Sequence, residues 1–217
     1  MNRFFTEAVL FSSFLMIIGL SGCATLDPSS DKGFSYTSIP VATGTVSSGE
    51  GSSIQFRGAP LDLSGQSIAQ GDSLRSVKVA KDDLSLLDIA STKGKVRIIS
   101  VVPSLDTKVC EQQTHYLSEK NQGLDAQVDL YTISVDTPFA QGRFAKEAKI
   151  NNVTFLSDYR GGDFGRTFGL LLEGPHVLAR TVMVVDQHNV IKYLQVTPDL
   201  ANMPDMEAAF EAARKLL

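Results

Sequence analysis

A short apolar segment followed by a proline constrains the fold of this chain more than any other feature. Residues 96–102 are mostly apolar and β-branched, which is typical of a strand buried on both faces. Pro103 ends this strand, because proline has no amide hydrogen to donate and restricts the residue before it. Ser104, Asp106 and Thr107 can each cap a new helix. The pattern therefore predicts a buried strand, a short loop and a helix.

Cys110 is predicted to lie in the first turn of that helix. The first turn presents unpaired N–H groups and the positive end of the helix dipole. These groups favour the thiolate over the thiol, and the thiolate is the nucleophilic form of cysteine. A lone cysteine can equally be a buried, inert core residue. Position alone leaves both interpretations open.

The first 22 residues are typical of a secretory signal peptide. An apolar run over residues 8–20 is shorter than the roughly 20 residues that a membrane-spanning helix needs, and small residues follow it. Residues 20–23 resemble the lipobox of bacterial lipoproteins, in which the cysteine is acylated. The resemblance implies that Cys23 carries a lipid anchor and that the protein is extracytoplasmic, on the periplasmic side in a Gram-negative cell. The alternatives are an ordinary signal peptide and an uncleaved anchor.

Residues 23–53 are predicted to form a flexible tether. The segment is rich in Ser, Thr, Gly and Pro and has few large apolar side chains, so it cannot bury enough surface to fold alone. Phe34 and Tyr36 could instead mark a contact with a partner. One globular domain is expected over residues 54–217, since roughly 160 residues suffice for a complete core.

The order of predicted elements indicates the fold class of that domain. The elements are a hairpin (54–63), the strand and helix described above, with the helix ending near Gly123, a strand (127–136), a helix from Pro138, a short helix (163–170), two strands (180–186 and 190–196) and a helix from Pro204. A strand, helix and strand in succession predict a parallel pair with a right-handed connection. The domain is therefore predicted to be α/β with a thioredoxin-like fold, a mixed sheet with helices on both faces and an N-terminal β-hairpin.

Composition and spacing argue against several functions. The net charge of −4 argues against nucleic-acid binding. His115, His176 and His188 do not form a spaced set of metal ligands, and we expect them to be solvated. The sequence has no Gly-rich phosphate-binding loop. It therefore predicts neither a metal nor a cofactor.

Residues 103–110 resemble the peroxidatic-cysteine motif of peroxiredoxins, P-x-x-x-T-x-x-C. The residues Ser-Leu-Asp between the proline and the threonine resemble the thiol peroxidase branch in particular. Residues 135–144, 156–160 and 178–186 are similar to further segments of that branch. The resemblance covers nearly the whole domain. It implies a thiol-dependent peroxidase that reduces hydrogen peroxide or organic hydroperoxides.

The resemblance also implies a role for four residues. Cys110 is the peroxidatic thiol, which attacks the peroxide and becomes a sulfenic acid. Thr107, about one helical turn earlier, orients the peroxide. Arg180 stabilises the thiolate and polarises the peroxide, and Pro103 shields the sulfur.

The chain departs from the family pattern at one position. A resolving cysteine commonly follows an Arg-Phe pair in the second helix, whereas here Ala145 follows that pair. The chain has two cysteines, and Cys23 is expected to be acylated, so Cys110 has no intramolecular partner. The resemblance therefore implies a one-cysteine enzyme reduced by an external thiol, from a thioredoxin-like protein or a small molecule, and leaves a homodimer open. A non-catalytic lipoprotein and a peroxide sensor that forms a mixed disulfide with a partner are the alternatives.

Overall fold

The fold is built on a seven-stranded mixed sheet. The structure, a computed structural model, describes residues 33–217. Its strands are β1 (Ser53–Phe56), β2 (Ala59–Ser64), β3 (Lys78–Ala80), β4 (Leu86–Asp88), β5 (Val96–Val101), β6 (Val128–Ser134), β7 (Thr154–Ser157), β8 (Leu171–Leu172), β9 (Val177–Leu178), β10 (Thr181–Val185) and β11 (Ile191–Val196). Its α-helices are α1 (Lys108–Glu119), α2 (Pro138–Glu147), α3 (Asp163–Thr167) and α4 (Met206–Arg214).

The predicted buried strand lies in the middle of this sheet. The sheet has the order β11-β10-β5-β6-β7-β3-β4, and a smaller sheet has the order β1-β2-β8-β9. All six residues of β5 are buried. β5 pairs in parallel with β6 and antiparallel with β10. The predicted strand, its parallel partner and the N-terminal hairpin β1–β2 are therefore confirmed.

Two apolar cores cover the two faces of β5, because successive side chains of a strand point to opposite faces. Ile98 packs in one core with Leu117 of α1 and Phe210 of α4. Ile99 packs in the other core with Phe164 of α3 and with residues of the smaller sheet. Helices thus pack on both faces of the sheet, and the predicted thioredoxin-like arrangement is confirmed.

The shortest elements differ from the sequence-based prediction. Strands β3, β4, β7, β8 and β9 contain two to four residues each, which is too short for a detectable periodicity. Helix α1 ends at Glu119 rather than near Gly123. Gly123, with φ of 82°, instead precedes a short 3-10 helix over Leu124–Ala126. Left-handed backbone of this kind favours glycine.

Much of the tether predicted for residues 23–53 lies on the domain, and this corrects the predicted boundary. Residues 34–53 belong to the same compact unit as the rest of the domain. The backbone N–H of Ala42 donates to the carbonyl of Met203 at 2.8 Å. The segment needs no core of its own, because its backbone groups pair with a surface that the domain already provides.

The start of this segment contacts α1, the helix that bears Cys110. The Phe34 ring stacks on His115 with the ring centroids 3.9 Å apart. The Thr37 N–H donates to Oε1 of Gln112 at 2.8 Å, and Nε2 of Gln112 donates to the Thr37 carbonyl at 3.0 Å. His115 is consequently only 5% exposed, so the expectation that it is solvated was wrong.

The predicted signal peptide (residues 1–22), the lipid-bearing Cys23 and the first part of the predicted tether lie outside the described residues. Between residue 33 and residue 217, no helix is both long and apolar enough to cross a membrane. The lipid anchor therefore stays a prediction from the sequence.

Candidate active site

Cys110 lies in the first turn of α1, as predicted, and its side chain is completely buried at 0% exposure. It forms a small apolar cluster with Val102 and Leu105. The partly buried rings of Phe144 and Phe155 pack against this cluster. Apolar side chains therefore enclose the sulfur on the side away from the helix backbone.

Arg180 contacts the sulfur of Cys110. Its Nη2 atom lies 3.5 Å from Cys110 Sγ, while Nη1 donates to Oε1 of Gln113 at 2.7 Å and Nε donates to the Leu200 carbonyl at 3.0 Å. Arg180 is 2% exposed. No carboxylate among residues 33–217 forms an ion pair with it. A buried guanidinium without a carboxylate favours an anion beside it, and Cys110 Sγ is the atom that the free Nη2 of Arg180 faces.

Gln113 holds Arg180 against the central strands. Its side chain is fully buried, and Nε2 donates to Oγ of Ser100 at 2.8 Å and to the Thr181 carbonyl at 3.5 Å. Gln113 lies about one turn after Cys110 on α1, so one helix positions both the thiol and its cation. The sequence-based reasoning missed this role. A polar residue on the buried stripe of α1 was the signal that could have indicated it.

The loop between β5 and α1 is held by the carboxylate of Asp136. Oγ of Ser104 and the N–H of Leu105 each donate to this carboxylate at 2.7 Å, and Oγ of Ser134 donates to it at 2.8 Å. Thr107 is exposed, and its hydroxyl donates to the Ser104 carbonyl at 3.2 Å. Hydrogen bonds from the end of one strand therefore fix the loop that carries the predicted peroxide-orienting residue.

The structure brings two of the four predicted site residues into contact, Cys110 and Arg180. Pro103 is half-buried at the start of the same loop, and Thr107 is the residue immediately before α1. Both residues are close to Cys110 in the sequence, and their roles stay predictions. In the described part of the chain, no group of three or more His, Cys, Asp or Glu side chains could hold a metal ion.

Ala145, the residue at which the sequence departs from the pattern that the resemblance implies, lies on α2. It is half-buried and lines a groove of about 400 Å³ together with Gln141 and Phe155. Phe155 also packs against the cluster around Cys110. Among residues 33–217, Cys110 is the single cysteine, and its thiol is free.

Known proteins resemble this chain in sequence and in structure. Residues 69–210 match the family model described as Redoxin. A thiol peroxidase of Halalkalibacterium halodurans is 41% identical over 165 residues, which cover 76% of this chain and 99% of that protein. A thiol peroxidase of Bacillus subtilis is 40% identical over 164 residues, which cover 76% of this chain and 98% of that protein. About a quarter of this chain has no counterpart in these relatives.

Two solved structures are also similar to this chain. A peroxiredoxin-like protein from Aquifex aeolicus has 30% identity and a TM-score of 0.71, and the match covers 80% of this chain and 100% of that one. A thiol peroxidase from Chromobacterium violaceum, at 22% identity and a TM-score of 0.66, shares the fold over 76% of this chain and 97% of that one. The chain therefore belongs to the redoxin family. Within this family it is a peroxiredoxin of the thiol peroxidase branch, and the resemblance inferred from the sequence is confirmed.

We expect Gln113→Leu to slow the oxidation of Cys110 by peroxide by about tenfold or more, because a buried hydrogen bond to a charged group contributes about 1.5–3 kcal/mol. The substitution removes the acceptor that holds Nη1 of Arg180. Stopped-flow measurement of the oxidation rate checks this result. Gln195→Leu is the matched control, since Gln195 is a buried glutamine that binds the backbone of Ala42. An unchanged rate in Gln113→Leu would contradict the role of this residue.

Proposed function

We propose that Cys110 is the residue with which this thiol peroxidase reduces hydroperoxides, and that an external thiol regenerates it. The observation that carries the proposal is the contact of 3.5 Å between Arg180 Nη2 and Cys110 Sγ, in the first turn of α1 and away from solvent. A scaffold protein without catalytic activity has no use for an arginine buried against a thiol. The contact thus favours a peroxidase over a non-catalytic lipoprotein.

The oxidation step follows from the charges around the sulfur. The Cys110 thiolate attacks one peroxide oxygen, an S–O bond forms and the O–O bond breaks. The leaving oxygen takes up one proton, equivalent to the one that the thiol released to solvent on ionisation, and departs as water or alcohol, and Cys110 is left as a sulfenic acid. Negative charge moves from sulfur to the leaving oxygen, so the guanidinium of Arg180 stabilises the transition state. Thr107 orients the peroxide for this attack.

The reduction step needs a thiol from outside the chain. Ala145 occupies the position of the resolving cysteine, and Cys23 is the single other cysteine of the sequence. A donor thiolate attacks the sulfenic sulfur, releases water and forms a mixed disulfide. A second donor thiol then resolves this disulfide and returns Cys110 to the thiol. The donor is a thioredoxin-like protein or a small thiol.

Stopped-flow oxidation of the full-length chain tests the proposed function. The variant Cys23→Ser leaves Cys110 as the single thiol, so every oxidised sulfur is identified. We expect hydrogen peroxide and organic hydroperoxides to oxidise one thiol per chain rapidly. The double variant that carries both Cys23→Ser and Cys110→Ser should not react. If Cys110 reacts no faster than a free thiol in solution, the proposed function is wrong.

We also propose that the protein is a lipoprotein held on the extracytoplasmic side of a membrane through Cys23. The support is the lipobox-like sequence of residues 20–23 at the end of a short apolar run. Ten residues, 24–33, separate Cys23 from the compact unit that begins at Phe34, and they span at most about 35 Å when extended.

Intact-mass analysis of protein from its native membrane is expected to show acyl groups on a chain that begins at Cys23. Thioether and amide acylation at this cysteine makes the new N-terminus apolar, so the protein should partition with the membrane. Cys23→Ser is the control, and it should carry no acyl mass. A soluble, unacylated product that begins at another residue would refute the anchor.

A further inference from the structure

The carboxylate of Asp136 lies beside the active-site loop without touching the sulfur. We propose that Asp136 is a positioning residue for the peroxide reaction, which fixes Ser104 and, through Ser104, the hydroxyl of Thr107. The inference deepens the proposed function and depends on it, because it concerns the same reaction at Cys110. It adds to the reaction a residue from the segment that follows β6, outside the β5–α1 loop that leads to the cysteine.

The topology of the sheet explains why Asp136 reaches this loop. β5 and β6 are parallel neighbours, with Val101 opposite Ile133, so their carboxyl ends lie at the same edge of the sheet. The backbone N–H of Val102 donates to the Ile133 carbonyl at 2.9 Å and extends this pairing into the loop. Asp136 follows β6 by two residues. Its side chain can therefore reach across to the segment that follows β5.

A continuous series of hydrogen bonds connects Asp136 to Thr107. Ser104 Oγ donates to Asp136 Oδ1 at 2.7 Å, and the N–H of Leu105 donates to Oδ2 at 2.7 Å. The carbonyl of Ser104 accepts the hydrogen bond of the Thr107 hydroxyl at 3.2 Å. The N–H of Asp106 donates to Ser104 Oγ at 3.3 Å. Loss of the carboxylate frees Ser104, and the acceptor that holds the Thr107 hydroxyl is then free to move.

Side chains from three neighbouring elements hold Asp136 in place. Ser134 Oγ donates to Asp136 Oδ2 at 2.8 Å, and Gln141 Nε2 donates to Ser134 Oγ at 2.9 Å. Ser157 Oγ donates to the backbone carbonyl of Asp136. Side chains from β6, α2 and β7 thus fix the position of Asp136 before it binds the loop. Such support is what a residue needs in order to position another one.

The Asp136 contacts are separate from those that hold Arg180 beside the sulfur. Arg180 is held by Gln113 and by the Leu200 carbonyl, and Gln113 is held by Ser100 and by the Thr181 carbonyl. None of these residues binds Asp136. Removal of the carboxylate should therefore disturb the orientation of the peroxide and leave the charge beside the sulfur in place.

The test compares two reactions of Cys110 in the full-length chain. Oxidation by peroxide needs an oriented substrate, whereas alkylation by iodoacetamide needs the thiolate and access to the sulfur but no oriented peroxide. In Asp136→Ala and in Ser104→Ala, we expect peroxide oxidation to slow about tenfold, as for loss of a hydrogen bond to a charged group. Alkylation should change by less than about twofold and keep its pH profile. Asp136→Asn, which retains one acceptor oxygen, should recover part of the lost rate.

Asp186→Ala is the matched control. Asp186 also holds a loop, since its Oδ1 accepts the N–H groups of His188 and Val190 in the β10–β11 hairpin. Its loss should leave the ratio of the two rates unchanged. Equal slowing of both reactions in the Asp136 and Ser104 variants would overturn the proposal, and so would no slowing at all. If Asp136→Ala does not fold, Ser104→Ala decides the question, and an unreactive wild-type chain would reject the proposed function instead.

Discussion

Arg180→Met is expected to slow the oxidation of Cys110 by hydroperoxide by at least about a hundredfold, the range found when one donor that stabilises a developing oxyanion is removed. Methionine keeps much of the volume of arginine but removes the charge that lies 3.5 Å from the sulfur. Both the thiolate and the charge that develops on the leaving oxygen lose their stabilisation. Stopped-flow oxidation and iodoacetamide alkylation, each measured against pH, check this result.

The chain offers a matched control for this substitution in Arg97. Arg97 is also completely buried, and its guanidinium donates to Thr92 Oγ1 at 2.8 Å and to the Asp186 carbonyl at 2.6 Å. Arg97→Met removes an equally buried cation far from the thiol, so it should lower the free energy of unfolding and leave the oxidation rate of the folded protein unchanged. If Arg180→Met and Arg97→Met oxidise at the same rate, Arg180 has no part in the reaction.

Without an added thiol, the enzyme is expected to complete one oxidation per chain and then stop. The cause is Ala145, because no cysteine of the domain can attack the sulfenic acid of Cys110. Mass spectrometry after one equivalent of peroxide should show one added oxygen on Cys110. Excess peroxide should then produce the sulfinic acid and inactivate the enzyme. Sustained turnover with no thiol donor would exclude the one-cysteine mechanism.

Ala145→Cys is expected to convert this stalled reaction into an internal disulfide with Cys110. Ala145 and Phe155 line the same groove, and Phe155 also packs against the cluster around Cys110. The buried sulfur must leave its cluster first, because thiols whose Cα atoms are more than about 7 Å apart cannot bridge without backbone movement. Non-reducing mass mapping after peroxide treatment reveals the bridge. Ala212→Cys on α4 is the control and should form none.

Local sequence patterns were sufficient to predict the centre of the fold. The β-branched run that forms β5, the proline after it and the polar residues that follow act over a few neighbouring residues, so they specify a strand, a stop and a helix without tertiary information. The same segment places Cys110 in the first turn of α1. The spacing of Pro103, Thr107 and Cys110 was also enough to indicate the family.

The surroundings of the thiol were decided by the tertiary structure. Arg180 could be named from a family resemblance, but its contact with Cys110 depends on the antiparallel pairing of β10 with β5. The sequence places Gln113 on the buried stripe of α1 but does not name its partner, and it gives no sign of the contact between Asp136 and the active-site loop. A hydrogen bond depends on where two distant segments meet, and the local pattern of residues does not contain that information.

The N-terminal boundary of the domain also depended on tertiary contacts that the sequence does not reveal. Composition correctly indicates that residues 34–53 cannot form a core of their own, and from this the sequence predicts a free tether. The structure shows the segment paired with the chain near Met203 and stacked on His115. Composition measures what a segment can bury by itself, whereas its folding depends on the backbone partners and apolar surface that the rest of the domain offers. The sequence by itself therefore determined the strand, the helix and the position of Cys110 in its first turn, and the tertiary structure decided what surrounds them.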